Sequence, residues 1–466
     1  MNGSLSPILV DSFVERTAEA LPDSPSSCKP CCESIGRSWR RFGLRPGDLV
    51  LLCLPNGKEL LNQFFGVLNA QGVPALVPPS MPAARLREIW QELGARAIGA
   101  FRLPAGEFGG QRHEAIGQLQ VSMFPPASKP AAAPGEVVLL TSGTSGFASG
   151  CVFDFDSLLL NGQRHADSIG QRKEDIVLVS LPLYFSFALV AQALASFVRG
   201  NRLVISGPPF NATIYKKTLQ DYGVTVSSLT PVLARSMLQS DARFLSSLRV
   251  LSVGGDALES DMVARLVDFR QGGELYLTYG LTQAGPRVST LAAHAEPPHR
   301  YASVGRPMEG TTVSLRPTRD ACGLKQLYVT SDTVMKRLIG RVEGRPHHDL
   351  AGPQTIATGD AFDQDADGYL YFKGRLCDYI SRKGEKISLA AVRRLASQLP
   401  HVVSAKTMVI GHEDGGQDFD LELCLNASPD ALLDPREMLR GVLRRTEMPR
   451  SIRIEPVSET SAQGYK

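Results

Sequence analysis

A loop rich in glycine, serine and threonine, directly after a short apolar run, constrains this chain more than any other stretch. Residues 137–140 have the character of a strand, and residues 141–150 read TSGTSGFASG. Glycine lets such a loop turn sharply, and its amides and hydroxyls can donate hydrogen bonds to an anion. A polyphosphate suits these donors, although a Ser/Gly surface loop has the same composition. No Gly-Lys-Ser/Thr closes the loop, so it is not a Walker A motif.

Strand and helix patterns alternate on both sides of the loop. Residues 49–54 predict a strand, residues 59–70 a helix and residues 73–79 a second strand, an order typical of a βαβ unit. Alternation resumes at residue 176 and continues to residue 255, and short strands with turns follow from residue 303. The C-terminal part predicts a separate small α+β module with a strand pair and a charged helix over residues 435–445. These patterns indicate an α/β fold.

Length and composition exclude several classes of protein. A chain of 466 residues is too long for one core and is expected to hold more than one domain. The net charge of +3 gives no reason to expect nucleic acid or an acidic membrane as partner. Cys28, Cys31 and Cys32 lack a second ligand pair, so reduced thiols are predicted there rather than zinc.

One uncharged segment, residues 176–198, is long enough to cross a bilayer. It contains several polar residues and begins like a strand, so a buried strand, a turn at Pro182 and a buried helix explain it better. The N-terminus has neither the basic region nor the apolar core of a signal peptide. We therefore predict a soluble cytoplasmic protein that does not bind membranes.

Further short segments follow the loop in a fixed order. They are GGDAL at 254–258, YGLTQ at 279–283, SVGRP at 303–307, TGD at 358–360 with GYL at 368–370, GRLCDYI at 374–380 and RKGEKI at 382–387. With the loop, they resemble the motifs of the acyl-adenylate-forming superfamily, the AMP-dependent synthetases and ligases that include acyl-CoA synthetases, peptide-synthetase adenylation domains and luciferases. Each motif alone is weak, whereas the whole set in this order is specific.

The resemblance implies two domains. Residues 1–374 would form a large N-terminal AMP-binding domain of α/β layers with a small barrel-like β subdomain, holding the ATP and acid sites. Residues 375–466 would form a small mobile α+β lid, with a hinge near Cys377.

The resemblance also implies a two-step reaction that uses ATP and Mg²⁺. A carboxylate attacks the α-phosphorus of ATP to give an acyl-AMP and pyrophosphate, and a thiol then attacks the acyl carbon. By this resemblance, the phosphates would be held by Thr141, Ser142, Gly143, Thr144, Ser145 and Gly146. The remaining implied contacts are Gly255, Asp256, Tyr279 and Gly280 for adenine, Asp360 and Arg375 for ribose or phosphate, Thr282 for the reacting groups, Gln283 for the metal and Lys466 for the acyl-phosphate.

The sequence departs from the superfamily at three of these places. Ala148-Ser149 replaces the usual Pro-Lys of the loop, and Gln283 replaces a glutamate, which removes one charge from the metal site. The usual C-terminal Gly-Lys is interrupted, which leaves Lys466 as the candidate lysine. Two alternatives to an acid–thiol ligase therefore stay open: an ATP-independent acyl or amide transferase, and a non-catalytic protein that binds a nucleotide or a carrier protein.

Residues 182–189 (PLYFSFAL) resemble the substrate-side motif of the superfamily. Amino-acid-activating members carry an aspartate there, and an α-ammonium without a partner is costly to bury. We expect an acid without an α-amine, aryl or acyl and polyketide-like, with Phe185 and Phe187 in its pocket or in the core. The resemblance is closest to stand-alone ligases of biosynthetic clusters. The expected acceptor is CoA, or the phosphopantetheine of an acyl or peptidyl carrier protein supplied in trans.

Overall fold

The computed structural model describes residues 6–20, 31–103, 112–116, 118–125, 132–141, 149–208, 210–239, 248–270, 272–318, 324–340, 350–382, 385–411, 417–425 and 435–456. The chain divides into two compact units. The first comprises residues 1–313, 328–358 and 366–370, and the second comprises residues 314–327, 359–365 and 371–466. The second unit thus includes residues before the boundary predicted at 374/375, and a hinge near Cys377 stays a prediction.

The helices are amphipathic or buried and are mostly short. They are α1 (Pro7–Arg16), α2 (Cys32–Phe42), α3 (Lys58–Asn69), α4 (Ala83–Leu93), α5 (Phe155–Ser168), α6 (Ser186–Ala188), α7 (Ala195–Arg199), α8 (Ala212–Asp221), α9 (Pro231–Gln239), α10 (Ser260–Arg270), α11 (Leu389–Ala396) and α12 (Pro435–Arg440).

The strands fall into several sheets. They are β1 (Ala18–Glu19), β2 (Leu49–Cys53), β3 (Val73–Leu76), β4 (Ala97–Ala100), β5 (Arg112–Ile116), β6 (Leu119–Met123), β7 (Glu136–Thr141), β8 (Ser149–Asp154), β9 (Ile176–Val179), β10 (Arg202–Ile205), β11 (Val226–Leu229), β12 (Val250–Gly254), β13 (Glu274–Gly280), β14 (Arg287–Ala292), β15 (Arg306–Pro307), β16 (Thr311–Pro317), β17 (Lys325–Ser331), β18 (Arg337–Gly340), β19 (Leu350–Gly352), β20 (Thr355–Gln364), β21 (Leu370–Arg375), β22 (Tyr379–Arg382), β23 (Glu385–Ser388), β24 (Val402–Gly411), β25 (Gln417–Leu425) and β26 (Ile452–Pro456).

Two mixed sheets build the first unit. One has the strand order β1-β10-β9-β11-β12-β13-β14-β15, and the other β18-β8-β7-β3-β2-β4-β6-β5. β2 and β3 are connected by α3 and pair in parallel, which confirms the predicted βαβ unit. β2 is buried along its whole length, as expected of a strand covered on both faces. The predicted α/β class is confirmed.

The uncharged stretch forms β9, a turn and a buried helix, as the sequence predicted. The helix runs from Ser186 to Arg199, but its middle, Leu189–Leu194, is π-helical. π-Helical turns occur often at functional sites because they shift the register of the side chains that follow. Within the part of the chain that the structure describes, no helix is long and apolar enough to cross a membrane.

The short strands predicted after residue 303 form a third sheet, ordered β16-β17-β20-β19 with β21 beside β20. The second unit also contains the β22–β23 hairpin, α11 and the sheet β24-β25-β26. Its core includes Ile387, Val392, Phe419, Leu421 and Leu439. The predicted strand pair is confirmed as β24–β25. The predicted helix over residues 435–445 is too long: α12 ends at Arg440 and glycine follows, a residue that disfavours continuation of a helix.

Candidate active site

Three of the motif segments follow the carboxyl ends of strands in one sheet. β9, β11, β12 and β13 pair in parallel in that order. The substrate-side segment follows β9, Gly255 and Asp256 follow β12, and Thr282 follows β13. Because the carboxyl ends of parallel strands lie along one edge, the sheet brings these segments together at the place where open α/β sheets bind ligands.

Close backbone packing at this edge requires glycine. A Cβ on Gly254 would lie 2.3 Å from Thr278 Oγ1, and a Cβ on Gly280 would lie 1.9 Å from the carbonyl oxygen of Pro286. At Gly255 (φ +100°) the space beside the backbone is open instead. Asp256 is exposed, and its Oδ1 accepts a hydrogen bond of 2.8 Å from the amide of Ala257. The carboxylate of Asp256 thus caps its own turn.

Thr282 is tied to the substrate-side segment by a hydroxyl pair. Its Oγ1 lies 2.9 Å from Oγ of Ser186, the first residue of α6. Both Tyr279 and Thr282 are half-buried. Gln283 is buried, and its backbone oxygen accepts a hydrogen bond of 2.9 Å from the amide of Met335. The sequence did not single out Ser186, whose only signal is its place inside the substrate-side motif.

The Gly/Ser/Thr-rich segment of residues 141–150 begins at the last residue of β7 and ends in β8. Thr141 and Ser149 pair at the loop end of the hairpin, and their hydroxyl oxygens lie 2.8 Å apart. The predicted phosphate contacts Ser142, Gly143, Thr144, Ser145 and Gly146 lie outside the described residues. Ser149 is fully buried, so the position where the superfamily has lysine holds a side chain that is bonded inside the hairpin. β7 also contacts the turn that contains Thr282.

At the other end of β7, a buried carboxylate is clamped by cations. The Oε1 and Oε2 atoms of Glu136 accept hydrogen bonds of 3.0 and 2.8 Å from Arg337, and Lys336 Nζ lies 2.9 Å from Oε1. Burial alone raises the pKa of Glu136, but these bonds and the amide of Ala133 outweigh it and hold the pKa at about 2. Through these contacts, Glu136 joins β7 to Arg337, the first residue of β18, and to Lys336, the residue before β18.

Asp360 and Arg375 lie in the second unit. Asp360 is buried in β20, and Arg375 is exposed at the end of β21, with its Nε 3.7 Å from Asp360 Oδ1. At this separation, and with an exposed partner, the ion pair contributes little to stability. A carboxylate in this position has the acceptor chemistry that ribose hydroxyls need. Lys466 lies outside the described residues.

Two motifs act as structural partners of each other. In SVGRP, Ser303 Oγ donates a hydrogen bond of 2.9 Å to the carbonyl oxygen of Leu370, which belongs to GYL. The amide of Leu370 in turn donates to the carbonyl oxygen of Gly305 at 2.9 Å. Tyr369 lies under the guanidinium groups of Arg300 and Arg306, 3.7 and 4.5 Å from its ring centroid. These residues therefore fix the local fold.

A buried cation beside the substrate-side segment was not anticipated. Arg287 begins β14 and is buried, and its Cζ lies 4.6 Å from the ring centroid of Phe187. Its Nε and Nη2 have no hydrogen-bond partner among the described residues. Burial lowers the pKa of Arg287 to about 9, so the group stays charged near neutral pH. One signal was available: Arg287 is the only charged residue between Glu274 and His294.

Neighbouring polar residues hold the backbone of Arg287 but not its guanidinium. Asn161 on α5 donates through Nδ2 to the carbonyl oxygen of Arg287 and accepts through Oδ1 from its amide, both at 3.0 Å. His165, one turn further along α5, is completely buried with no hydrogen-bond partner for either ring nitrogen among the described residues. Burial first, and then the charge of Arg287, hold the pKa of His165 well below its usual range. His165 is therefore neutral.

Comparison with known proteins agrees with the class that the fold and motifs define, that of AMP-binding enzymes. The model of the family described as AMP-binding enzyme matches residues 30–336, more than half of the chain. The chain belongs to the AMP-binding enzyme family.

Relatives in this family are distant but match over most of their length. A 4-coumarate-CoA ligase 1 from Narcissus pseudonarcissus is 22% identical over 456 residues, covering 88% of this chain and 80% of the relative. A 2-succinylbenzoate–CoA ligase from Bacillus cereus (strain AH820) is 24% identical over 402 residues, covering 82% and 78%. The structure of o-succinylbenzoate CoA synthetase from Bacillus subtilis with its acyl-adenylate intermediate superimposes with a TM-score of 0.79 at 18% identity, covering 97% and 94%. The chain thus has the fold of adenylate-forming ligases.

Proposed function

We propose that this chain activates a carboxylic acid with ATP. In the first step a carboxylate oxygen bonds to the α-phosphorus of ATP while the bond from that phosphorus to the bridging oxygen breaks, which gives an acyl-AMP and pyrophosphate. In the second step a thiolate bonds to the acyl carbon and AMP leaves. The enzyme is an acid–thiol ligase.

The observation that carries the proposal is the convergence of three motif segments on one sheet edge. The adenine-side turn, the segment with Thr282 and the substrate-side segment belong to separate parts of the chain, and parallel pairing of β9, β11, β12 and β13 aligns their ends. The hydroxyl pair between Thr282 and Ser186 then connects the nucleotide side to the acid side. Positioning of two anions against each other is the main task of such a reaction.

The donors present fit ATP and Mg²⁺. Open space beside Gly255 and the half-buried ring of Tyr279 suit a flat base, and the carboxylate of Asp360 suits ribose hydroxyls. The amide oxygen of Gln283 is an acceptable ligand for Mg²⁺, which prefers oxygen. When bound, the metal would neutralise phosphate charge. Thr282 would donate a hydrogen bond to the reacting groups, and Ser186 would hold its hydroxyl in place.

The acid is proposed to lack an α-amine and to be of aryl or acyl type. Phe185 and Phe187 are half-buried beside Thr282's partner Ser186, and the segment 182–189 contains no acidic residue that could pair with an ammonium. The acceptor is proposed to be CoA or the phosphopantetheine of a carrier protein. Relatives named as CoA ligases support a thiol acceptor.

A second candidate follows from the departures at Ser149 and Gln283. A member that no longer forms adenylates would transfer a preformed acyl group, or would bind a nucleotide or carrier protein without catalysis. The buried, internally bonded Ser149 is the observation that favours it, because the loop then lacks a cation facing the phosphates.

ATP–pyrophosphate exchange separates these candidates. The full chain is incubated with labelled pyrophosphate, ATP and a panel of aryl, fatty and short-chain acids, with and without Mg²⁺. The proposal predicts exchange that depends on both the acid and the metal. Absence of exchange with every acid would refute adenylation and leave the second candidate.

A further inference from the structure

Arg287 and Arg270 are both buried arginines of the first unit. They differ in the hydrogen bonds that their guanidinium groups make. Arg270 Nη2 donates hydrogen bonds of 3.0 Å to the backbone oxygens of Leu248 and Arg249. Arg287 has the face of Phe187 as its neighbour, and its buried Nε and Nη2 have no hydrogen-bond partner among the described residues. A structural role explains Arg270, whereas the same explanation does not fit Arg287.

An unpaired guanidinium is expensive to keep out of water. Removing a charge from solvent without a partner costs several kcal/mol even after relaxation of the protein. The cation–π interaction with an aromatic face offsets only part of this free energy. The neighbouring His165 is neutral and cannot supply a countercharge. A charged group held at such a cost is typical of a site whose partner arrives with the ligand.

The position of Arg287 relative to Thr282 indicates which ligand this is. Thr282 contacts Ser186, and Arg287 contacts Phe187. Ser186 and Phe187 are consecutive residues, so their Cα atoms lie about 3.8 Å apart. Arg287 also approaches the adenine-side strand, since a Cβ on Gly254 would lie 3.3 Å from its Nη2. The cation therefore lies against Phe187 of the substrate-side segment and close to Gly254 of β12.

We propose that Arg287 binds a second carboxylate of the substrate, and that the acid activated here is a dicarboxylic acid. This inference rests on the proposed function, whose acid pocket it uses. One carboxylate reacts near Thr282, while the other pairs with the guanidinium of Arg287 in a fork-to-fork contact, the geometry that arginine favours. Phe187 holds the guanidinium plane in place by stacking.

Matched pairs of acids test this inference. The panel contains the three benzene dicarboxylates and the linear diacids from malonate to adipate, each compared with its monomethyl ester, which keeps the shape but loses one charge. Exchange rates and calorimetric binding are measured for the wild type, Arg287→Met and Arg287→Lys. Arg235→Met, at a surface arginine paired with Glu259, is the matched control.

The wild type is expected to prefer at least one diacid over its monoester. Arg287→Met should lower kcat/KM for that diacid by roughly 10- to 150-fold, the range for a lost charged hydrogen bond, and leave the monoester unchanged or improved. Arg287→Lys should restore part of the loss, and Arg235→Met should have no effect. A readout independent of turnover is the unfolding midpoint: the diacid should raise it in the wild type and not in Arg287→Met.

The outcomes distinguish this inference from the proposed function. Exchange that proceeds equally well with monoesters, and that Arg287→Met does not change, would overturn the dicarboxylate inference and leave adenylation standing. If no acid supports exchange, adenylation fails, and calorimetry decides whether Arg287 binds a carboxylate: binding of a diacid that is lost in Arg287→Met retains that contact, and absence of such binding overturns it.

Discussion

At the scale of single residues, Ser149 stands where the superfamily has lysine, and the structure places it inside the hairpin stem. We expect Ser149→Lys to lower the KM for ATP, because a long side chain that leaves the stem would bring a cation to the phosphate loop. The same change breaks the hydroxyl pair with Thr141, so stability should fall by about 1 kcal/mol. Steady-state kinetics and thermal unfolding measure the two effects.

The matched variant for this prediction is Ser149→Met, which adds similar bulk without charge. Only the lysine should improve ATP binding, whereas both variants should lose stability. Equal KM values for ATP in the two variants would argue that the loop does not hold the phosphates.

Thr282 is the residue for which loss of one hydroxyl should matter most. Thr282→Val keeps the shape of the side chain but breaks the contact with Ser186 and removes the donor for the reacting groups. We predict a fall in kcat for adenylate formation of roughly tenfold or more, because a hydrogen bond to a charged group is lost. The free energy of unfolding should fall by about 1 kcal/mol, as expected for the loss of one part-buried hydroxyl pair. Thr330→Val, at an exposed site, is the control; a kcat equal to that of the wild type would remove Thr282 from the reaction.

At the residue scale the sequence predicted where some site residues lie in the fold, and their roles stay predictions. The resemblance to the superfamily pointed to Thr282 and the glycines of the sheet edge, because each stands at a position of a matching motif. The motifs gave no indication that Nε and Nη2 of Arg287 lack a hydrogen-bond partner among the described residues, because pairing depends on which side chains the fold brings near. The contact between Ser186 and Thr282, almost a hundred positions apart in the chain, was hidden for the same reason.

At the scale of elements, the Glu136 clamp makes the hairpin sensitive to acid. The pKa of Glu136 in the folded chain, about 2, lies below its ordinary value of 4.5, so the clamp stabilises fully above pH 4.5 and weakens as pH falls toward 2. Glu136→Gln should lower the free energy of unfolding by about 1.5 to 3 kcal/mol at neutral pH, since the charged hydrogen bonds from the partly exposed Arg337 and Lys336 are lost. Denaturation in urea across this pH range measures the effect.

The pH profile provides the decisive comparison for that prediction. Between pH 4.5 and 2 the wild type should lose stability more steeply than Glu136→Gln, because only the wild type has this carboxylate to protonate. Glu88→Gln, on the exposed face of α4, should retain the wild-type slope. Parallel profiles for wild type and Glu136→Gln would contradict the assigned pKa.

The order of elements was predictable, and their details were less so. Apolar periodicity predicted the βαβ unit and the buried strand and helix of residues 176–198. Proline and glycine marked the ends of these elements. The π-helical stretch Leu189–Leu194 was not predictable, because its register is set by packing against α5, where a Cβ on Gly162 would lie 3.1 Å from the backbone of Val190 and of Ala195. The early end of α12 reflects Gly441, which the charge pattern of residues 435–445 obscured.

At the scale of the whole molecule, two-step catalysis by a rotating lid is the prediction that follows from family membership. The chain does divide into two compact units, each with its own core. The test is Lys466→Ala, which should slow formation of the acyl-AMP by at least tenfold while leaving transfer from a preformed acyl-AMP to the thiol unchanged. Stopped-flow or quenched measurements separate the two half-reactions.

Lys325→Ala, at an exposed lysine of the second unit, serves as the control for that experiment. It should leave both half-reactions unchanged. If Lys466→Ala forms the acyl-AMP at the wild-type rate, Lys466 has no part in the first half-reaction and the catalytic assignment is wrong.

The central claim is that a carboxylate oxygen attacks the α-phosphorus of ATP. It is tested most directly with an acid that carries heavy oxygen in its carboxylate, followed by mass spectrometry of the products after transfer to the thiol. Because the bridging oxygen of the acyl-AMP stays with phosphorus when the thiolate attacks, the account predicts AMP that contains one labelled oxygen and pyrophosphate that contains none. Label in inorganic phosphate with release of ADP, or thioester formation without any AMP, would contradict it.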